Sequence, residues 1–125
     1  MLAAHLFVGL ITYVLCFQIA LVAGLPWGSV AWGGRYPGRL PVRMRVASGV
    51  SILLLIALAL VVEVRAGTLL AEWHPLSRSL VWGVVAYSAL GVLVNTITPS
   101  RWERTLWVPV TVLMLVLSLV VASGP

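Results

Sequence analysis

Apolar residues in this chain gather into four long runs, not into short alternating patches. Residues 5–25, 79–97 and 106–122 contain no Arg, Lys, Asp or Glu, and residues 46–64 contain Glu63 alone. A run of about 18 or more apolar residues, rising 1.5 Å per residue as a helix, can cross a hydrocarbon layer about 30 Å thick. The fourth run is only just long enough. Lipid offers the backbone no hydrogen-bond partners, so a crossing segment must satisfy its own N–H and C=O groups, as a helix does. The pattern therefore predicts an all-α membrane protein, four transmembrane helices packed as a bundle, with residues 1–125 forming a single domain. Punctuation agrees with these limits: Pro26 follows the first run, Arg65 and Gly67 the second, Pro99 the third, and Gly124 and Pro125 the fourth. No basic segment precedes the first run, and its apolar stretch exceeds the 7–15 residues usual in a signal peptide, so it is expected to stay as a span.

Composition sharpens this reading. The chain is 62% hydrophobic and 9% charged, against about 45–50% and about 25% in an ordinary soluble domain. A water-soluble chain this short leaves too much surface exposed to hide so many apolar side chains. The formal charge of +5 comes from eight arginines against Glu63, Glu72 and Glu103, with no lysine or aspartate. These arginines stand in short connections beside apolar runs, which suits anionic lipid heads and gives no sign of nucleic acid. Arg35, Arg39, Arg43, Arg45, Arg101 and Arg104 fall in the first and third connections, and only Arg65 and Arg78 in the second. Six against two places the first and third connections in the cytoplasm and both termini outside.

The connection 26–45 reads PWGSVAWGGRYPGRLPVRMR. Its tryptophans, Trp27 and Trp32, favour the headgroup zone, while its glycines and prolines mark specific turns instead of a slack linker. We expect an ordered segment at the cytoplasmic face, with Trp32 and Arg43 touching the corner 95–104. The candidate functional patch comprises Trp27, Trp32, Arg35, Arg43, Arg45, Asn95, Arg101, Glu103 and Arg104. Clustered arginines there could grip a phosphate or a phospholipid head, and Glu103 is expected to pair with an arginine.

Helical spacing of three and four lines up small and polar residues within the spans. The first gives His5, Gly9, Thr12, Cys16, Ala20 and Ala23, and the third gives Gly83, Tyr87, Gly91 and Asn95. Trp107, Thr111, Met114, Ser118 and Ala122 follow in the fourth. Such stripes either pack the bundle or line a narrow polar passage with Thr12, Cys16, Tyr87, Asn95 and Thr111 inside. Gln18, nearly opposite Cys16 on its helix, is expected outside as a subunit contact. No charge sits at mid-membrane, which disfavours a proton-coupled pump. Glu63 lies about 25 Å along its helix, at the outer interface, where it can pair with Arg65 or Arg78 or sit in water.

Little chemistry is encoded. A single cysteine, Cys16, allows no internal disulfide and no multi-cysteine metal site, and burial in a span disfavours its thiolate. Glu63, Glu72, His74 and His5 match no metal-ligand spacing. AWGGRYPG fits neither a Walker loop nor a dinucleotide fingerprint. No cofactor is implied.

The segments Gly24-x-Pro26-Trp27-Gly28, Ala31-Trp32-Gly33-Gly34 and Gly38-x-Leu40-Pro41, with Arg43, Arg45 and Ser48, form one motif block. Asn95 to Ser100 with Glu103 and Arg104, ahead of Pro109, form another. In both, the chain resembles a family of small four-span bacterial membrane proteins. The resemblance implies a four-helix membrane protein whose two cytoplasmic connections are its distinctive parts. It implies no reaction, substrate or cofactor. Three functions are carried forward: a non-catalytic accessory or scaffold component, alone, as a homo-oligomer or in a larger membrane complex; a small oligomeric transporter or channel; and an enzyme acting on a lipid head or isoprenoid.

Overall fold

A computed structural model describes residues 2–68 and 70–124. Among these, four helices follow in order: α1 Leu2–Ala23, α2 Val42–Arg65, α3 His74–Ile97 and α4 Arg101–Ala122. They are 22 or 24 residues long, hence about 33–36 Å, enough to cross a bilayer core. Each is apolar enough over its length to do so. Neighbours pack in a closed ring, α1 on α2, α2 on α3, α3 on α4, and α4 back on α1.

Most of these helices outrun the apolar stretches that announced them. α2 begins at Val42, so Arg43 and Arg45 stand on its first turn instead of in the connection, and α4 begins at Arg101. Apolar composition marks the part that lipid must accept. A helix continues past that part wherever its charged side chains can reach water along their flexible stems.

Phe7, Ile11, Leu55, Leu58, Val62, Val81, Val84, Met114 and Val121 form the principal core, which fills the half of the bundle nearest the termini. Leucines such as Leu53, Leu90 and Leu113 point outward, where lipid is as good a solvent for them as a protein interior. Close packing of α3 on α4 rests on a small residue: a Cβ added at Gly91 would already touch the Thr111 methyl at 3.4 Å.

The connections differ greatly. α3 and α4 are joined by Thr98, Pro99 and Ser100 alone. Residues 24–41, hereafter loop 1, fold into two short 3₁₀ turns, Gly28–Val30 and Trp32–Gly34, over a small core of Leu21, Ala31 and Leu40. The ordered segment expected at this end is therefore present.

Candidate functional site

Loop 1 forms a cap over one end of the bundle. The Gly28 amide donates to the Gly38 carbonyl at 2.8 Å and closes its base. A Cβ on Gly28 would lie 1.8 Å from the Tyr36 carbonyl oxygen, so only glycine fits there. From this base the cap is stitched to α4. Ser100 Oγ donates to the Ser29 carbonyl at 2.7 Å and accepts the Glu103 amide at 3.2 Å. The Trp107 indole N–H donates to the Val30 carbonyl at 2.7 Å, and the Gly33 amide donates to Glu103 Oε2 at 2.9 Å.

Trp32 is held on the other side, its indole N–H donating to Ser48 Oγ at 3.1 Å on α2. Its φ of +51° lies in the left-handed region, a strain of about 1–3 kcal/mol for a bulky residue. The hydrogen bonds on either side of it, at Ser48 and at Gly33, hold that conformation in place.

The arginines of the predicted patch take separate roles. Arg45 turns inward, its Nε and one terminal nitrogen donating to the Val22 carbonyl at 2.9 and 2.7 Å. It thereby satisfies an open carbonyl at the negative end of α1. Arg43, expected against the corner 95–104, instead donates from the first turn of α2 to the Tyr36 hydroxyl of the cap at 3.5 Å. Arg104 donates to the Thr98 carbonyl. Arg39 lies over Gly24, and Arg35 lines a cleft beside Trp32. Trp27 stacks on Phe17, the ring centroids 6.0 Å apart and the planes 11° apart. Arg101 is exposed.

Glu103 corrects the expectation that an arginine pairs with it. Its side chain is 5% exposed. Its carboxylate accepts from the Gly33 amide at 2.9 Å with the Thr98 hydroxyl nearby, and among the described residues the one ion pair is His5 with Glu63.

Beneath the cap lies a cavity of about 220 Å³ to which all four helices contribute. Its walls carry Gln18 from α1, Ser51 from α2, Tyr87 and Asn95 from α3, and Glu103, Trp107 and Thr111 from α4. Ala31 and Trp32 of the cap complete the roof. Tyr87, Asn95 and Thr111 thus face inward as the spacing suggested. Asn95 donates to the Gly91 carbonyl of its own helix at 2.7 Å.

Thr12 and Cys16 do not face inward. Both are exposed on the outer flank of α1, and the inward face is Phe7, Ile11, Val14 and Gln18. The Thr12 hydroxyl donates to the Val8 carbonyl at 2.9 Å, so it needs no interior partner. Its polarity was no signal of burial. Gln18 is the converse: it was expected on the outside, yet it lines the cavity and its Oε1 is enclosed without a partner.

A second cleft, about 480 Å³, opens between the first turns of α2 and the last turn of α3. Arg35, Tyr36, Met44, Val94, Ile97 and Pro99 line it, and it shares Trp32 and Glu103 with the central cavity.

Comparison with known protein families, with curated proteins and with solved structures gives no match to this chain. The chain is a multi-pass membrane bundle.

At the opposite end the polar groups tie helices together. His5 Nδ1 donates to Glu63 Oε1 at 3.0 Å, joining α1 to α2. Neither Arg65 nor Arg78 is the partner of Glu63. Arg65 is instead buried, donating to the Gly124 carbonyl at 2.5 Å and the Ala122 carbonyl at 3.4 Å beyond and at the end of α4. His74 Nε2 donates to the Arg65 carbonyl at 3.1 Å. The Thr68 hydroxyl also meets the Glu63 carboxylate. This puts the carboxylate between hydroxyl and imidazole, an order in which the imidazole cannot take the hydroxyl proton as a catalytic base must. Among the described residues no three of His, Cys, Asp and Glu gather as a metal site.

Composition and spacing missed Ser29 as a member of the site and put Gln18 on the wrong face, whereas Ser48 and Trp107 already stood in the motif block and on the fourth-span stripe. One signal was available: Ser100-x-x-Glu103 is the spacing of a helix capping box. Half of it forms, with Ser100 accepting the Glu103 amide, while the Glu103 carboxylate turns away to the Gly33 amide.

Proposed function

We propose that this protein is a non-catalytic accessory or scaffold component of the bacterial cytoplasmic (inner) membrane, with both termini outside and its cap resting on anionic lipid heads. One observation carries the reading. At the cap end Arg35, Arg39, Arg43, Arg101 and Arg104 are all exposed, whereas Glu103, the acid of that end, is buried. The solvent-facing charge there is purely positive. Each arginine close to an anionic leaflet contributes about 1 kcal/mol of attraction. Exposed Trp27 and Trp102 flank these arginines and suit the headgroup layer. The resemblance of the loop motifs to small four-span bacterial proteins supports a membrane bundle whose two arginine-bearing connections face the cytoplasm.

Conduction through a single chain is less well supported. The cavity ends at Leu55 and Met114, and beyond them Phe7, Ile11, Leu58, Val62 and Val81 fill the bundle. A transporter would have to open that apolar half. Enzyme chemistry lacks a nucleophile held against a base among the described residues.

The test is purification of the full chain from native membranes in mild detergent, followed by mass spectrometry of retained lipids and proteins. Anionic phospholipids should be enriched over their share in the membrane. Replacing Arg35, Arg39, Arg43 and Arg101 together by glutamine should abolish the enrichment, and equal retention by both proteins would refute the reading. A membrane partner retained at fixed ratio would place the chain in a larger complex. Reporter fusions that place the C-terminus in the cytoplasm would overturn the orientation.

A further inference from the structure

We propose that the central cavity is a binding site for a small organic ammonium ion, held by the Glu103 carboxylate and the Gln18 side-chain oxygen. Charge is the first argument. Glu103 is buried and lines the cavity, and no arginine, lysine or histidine side chain among the described residues lies in ion-pair range of it. The groups that meet it, the Gly33 N–H at 2.9 Å and the nearby Thr98 hydroxyl, are neutral. A buried carboxylate so placed needs a neutralising partner, either a proton or a cation.

The second argument is the balance of donors and acceptors. The indole N–H groups of Trp32 and Trp107 are spent on Ser48 Oγ and the Val30 carbonyl. Hydroxyl hydrogens of Ser51 and Thr111 are spent on backbone carbonyls of their own helices, and one N–H of Asn95 goes to Gly91. Gln18 Oε1 is enclosed and accepts nothing. The Tyr87 hydroxyl and the Gln18 amide N–H groups also face the cavity, but its one charge is the Glu103 carboxylate and its enclosed open acceptor is Gln18 Oε1, so the guest that complements it is a positively charged donor.

Size and walls narrow the class. The cavity, about 220 Å³, is smaller than the roughly 300–1,000 Å³ of sites for drug-sized ligands. Its single carboxylate and lack of histidine or cysteine ligands do not suit a metal ion. Phe17 and Trp107, edge to face with centroids 4.8 Å apart, stand in its wall with Tyr87, and aromatic faces attract organic cations.

The site is independent of the lipid-resting surface, which uses the outward arginines, so either idea can fail alone. The test uses the full chain in detergent, with tryptophan fluorescence following titration by propylammonium, because Trp32 and Trp107 line the cavity. Propanol is the neutral comparator and tetramethylammonium the cation without N–H donors. We expect saturable binding of propylammonium, binding at least tenfold weaker for tetramethylammonium, and none for propanol. Glu103→Gln keeps an acceptor for the Gly33 amide and should weaken propylammonium at least tenfold. Gln18→Leu, which touches no hydrogen bond of the cap, should weaken it several-fold, and it decides the matter if Glu103→Gln misfolds. No saturation by propylammonium up to about 10 mM, an equal response to propanol, or unchanged affinity in a folded Gln18→Leu protein would each overturn the assignment.

Discussion

Replacing Gly28 by alanine is the severest small change the cap can suffer. The new methyl would sit 1.8 Å from the Tyr36 carbonyl oxygen and 2.7 Å from that of Gly38. Both atoms belong to backbone, and neither has a rotamer by which to retreat. The loop must open at its base, losing the Gly28–Gly38 hydrogen bond of 2.8 Å, which contributes about 1 kcal/mol. Opening also loosens Leu40, now 2% exposed against Leu21 and Ala31, and burial of a leucine contributes about 1.5–3 kcal/mol. The cap should therefore lose about 3 kcal/mol of local stability, which is roughly a hundredfold in an opening equilibrium. Amide hydrogen exchange on the full chain in detergent reads that quantity directly. Amides of residues 28–40 should exchange roughly a hundredfold faster, while those of α2 and α3 mid-helix keep their protection. Gly49→Ala serves as the comparator, since nothing lies within 4 Å of a Cβ there and alanine favours a helix over glycine by about 1 kcal/mol. If Gly28→Ala exchanged like the parent chain, the close approach of Gly28 to the Tyr36 carbonyl would be wrong.

Three further outcomes follow from the same geometry. Ser100→Ala removes both the cap of α4 and the bond to the Ser29 carbonyl, so the thermal midpoint in detergent should fall with a cost of about 1.5–3 kcal/mol; an unchanged midpoint would contradict the double role of that hydroxyl. Arg65→Met keeps the apolar stem but withdraws the guanidinium from the Ala122 and Gly124 carbonyls. It should cost about 1.5–3 kcal/mol and speed exchange in the last turn of α4 without disturbing the cap. Thr12→Val should leave stability within about 0.5 kcal/mol, because its hydroxyl serves only the Val8 carbonyl on an exposed flank; a large loss would return Thr12 to the interior.

The four spans were legible because lipid imposes one blunt requirement, an unbroken apolar stretch, and the residues meet it without ambiguity. The ordered cap was legible for a similar reason, since Gly28, Gly33, Gly34, Pro37 and Pro41 leave the backbone few alternatives. Facing was another matter. In water a polar residue on an apolar helix points outward, but in lipid that rule has no single converse. Thr12 settles its hydroxyl on its own helix and can face anywhere, whereas Gln18 is too long to do so and turns into the cavity. The fourth span was read more accurately, because Trp107, Met114, Ser118 and Ala122 are all buried along the stripe their spacing drew. Arg45 shows the remaining gap: as a count it belonged to an arginine cluster, yet it serves as the cap of a neighbouring helix, and only tertiary contact reveals the Val22 carbonyl.

The cap imposes an order on biogenesis. Gly33, Ser29 and Val30 find their partners 70, 71 and 77 residues later, at Glu103, Ser100 and Trp107. A ribosome adding about 5–20 residues per second leaves these loop residues waiting about 4–15 s for the groups that will hold them. During that interval the first two helices can pair and Trp32 can reach Ser48, but the lid lacks its partners on α4. Its closure waits for the hairpin of α3 and α4, whose three-residue bend brings α4 in directly behind α3.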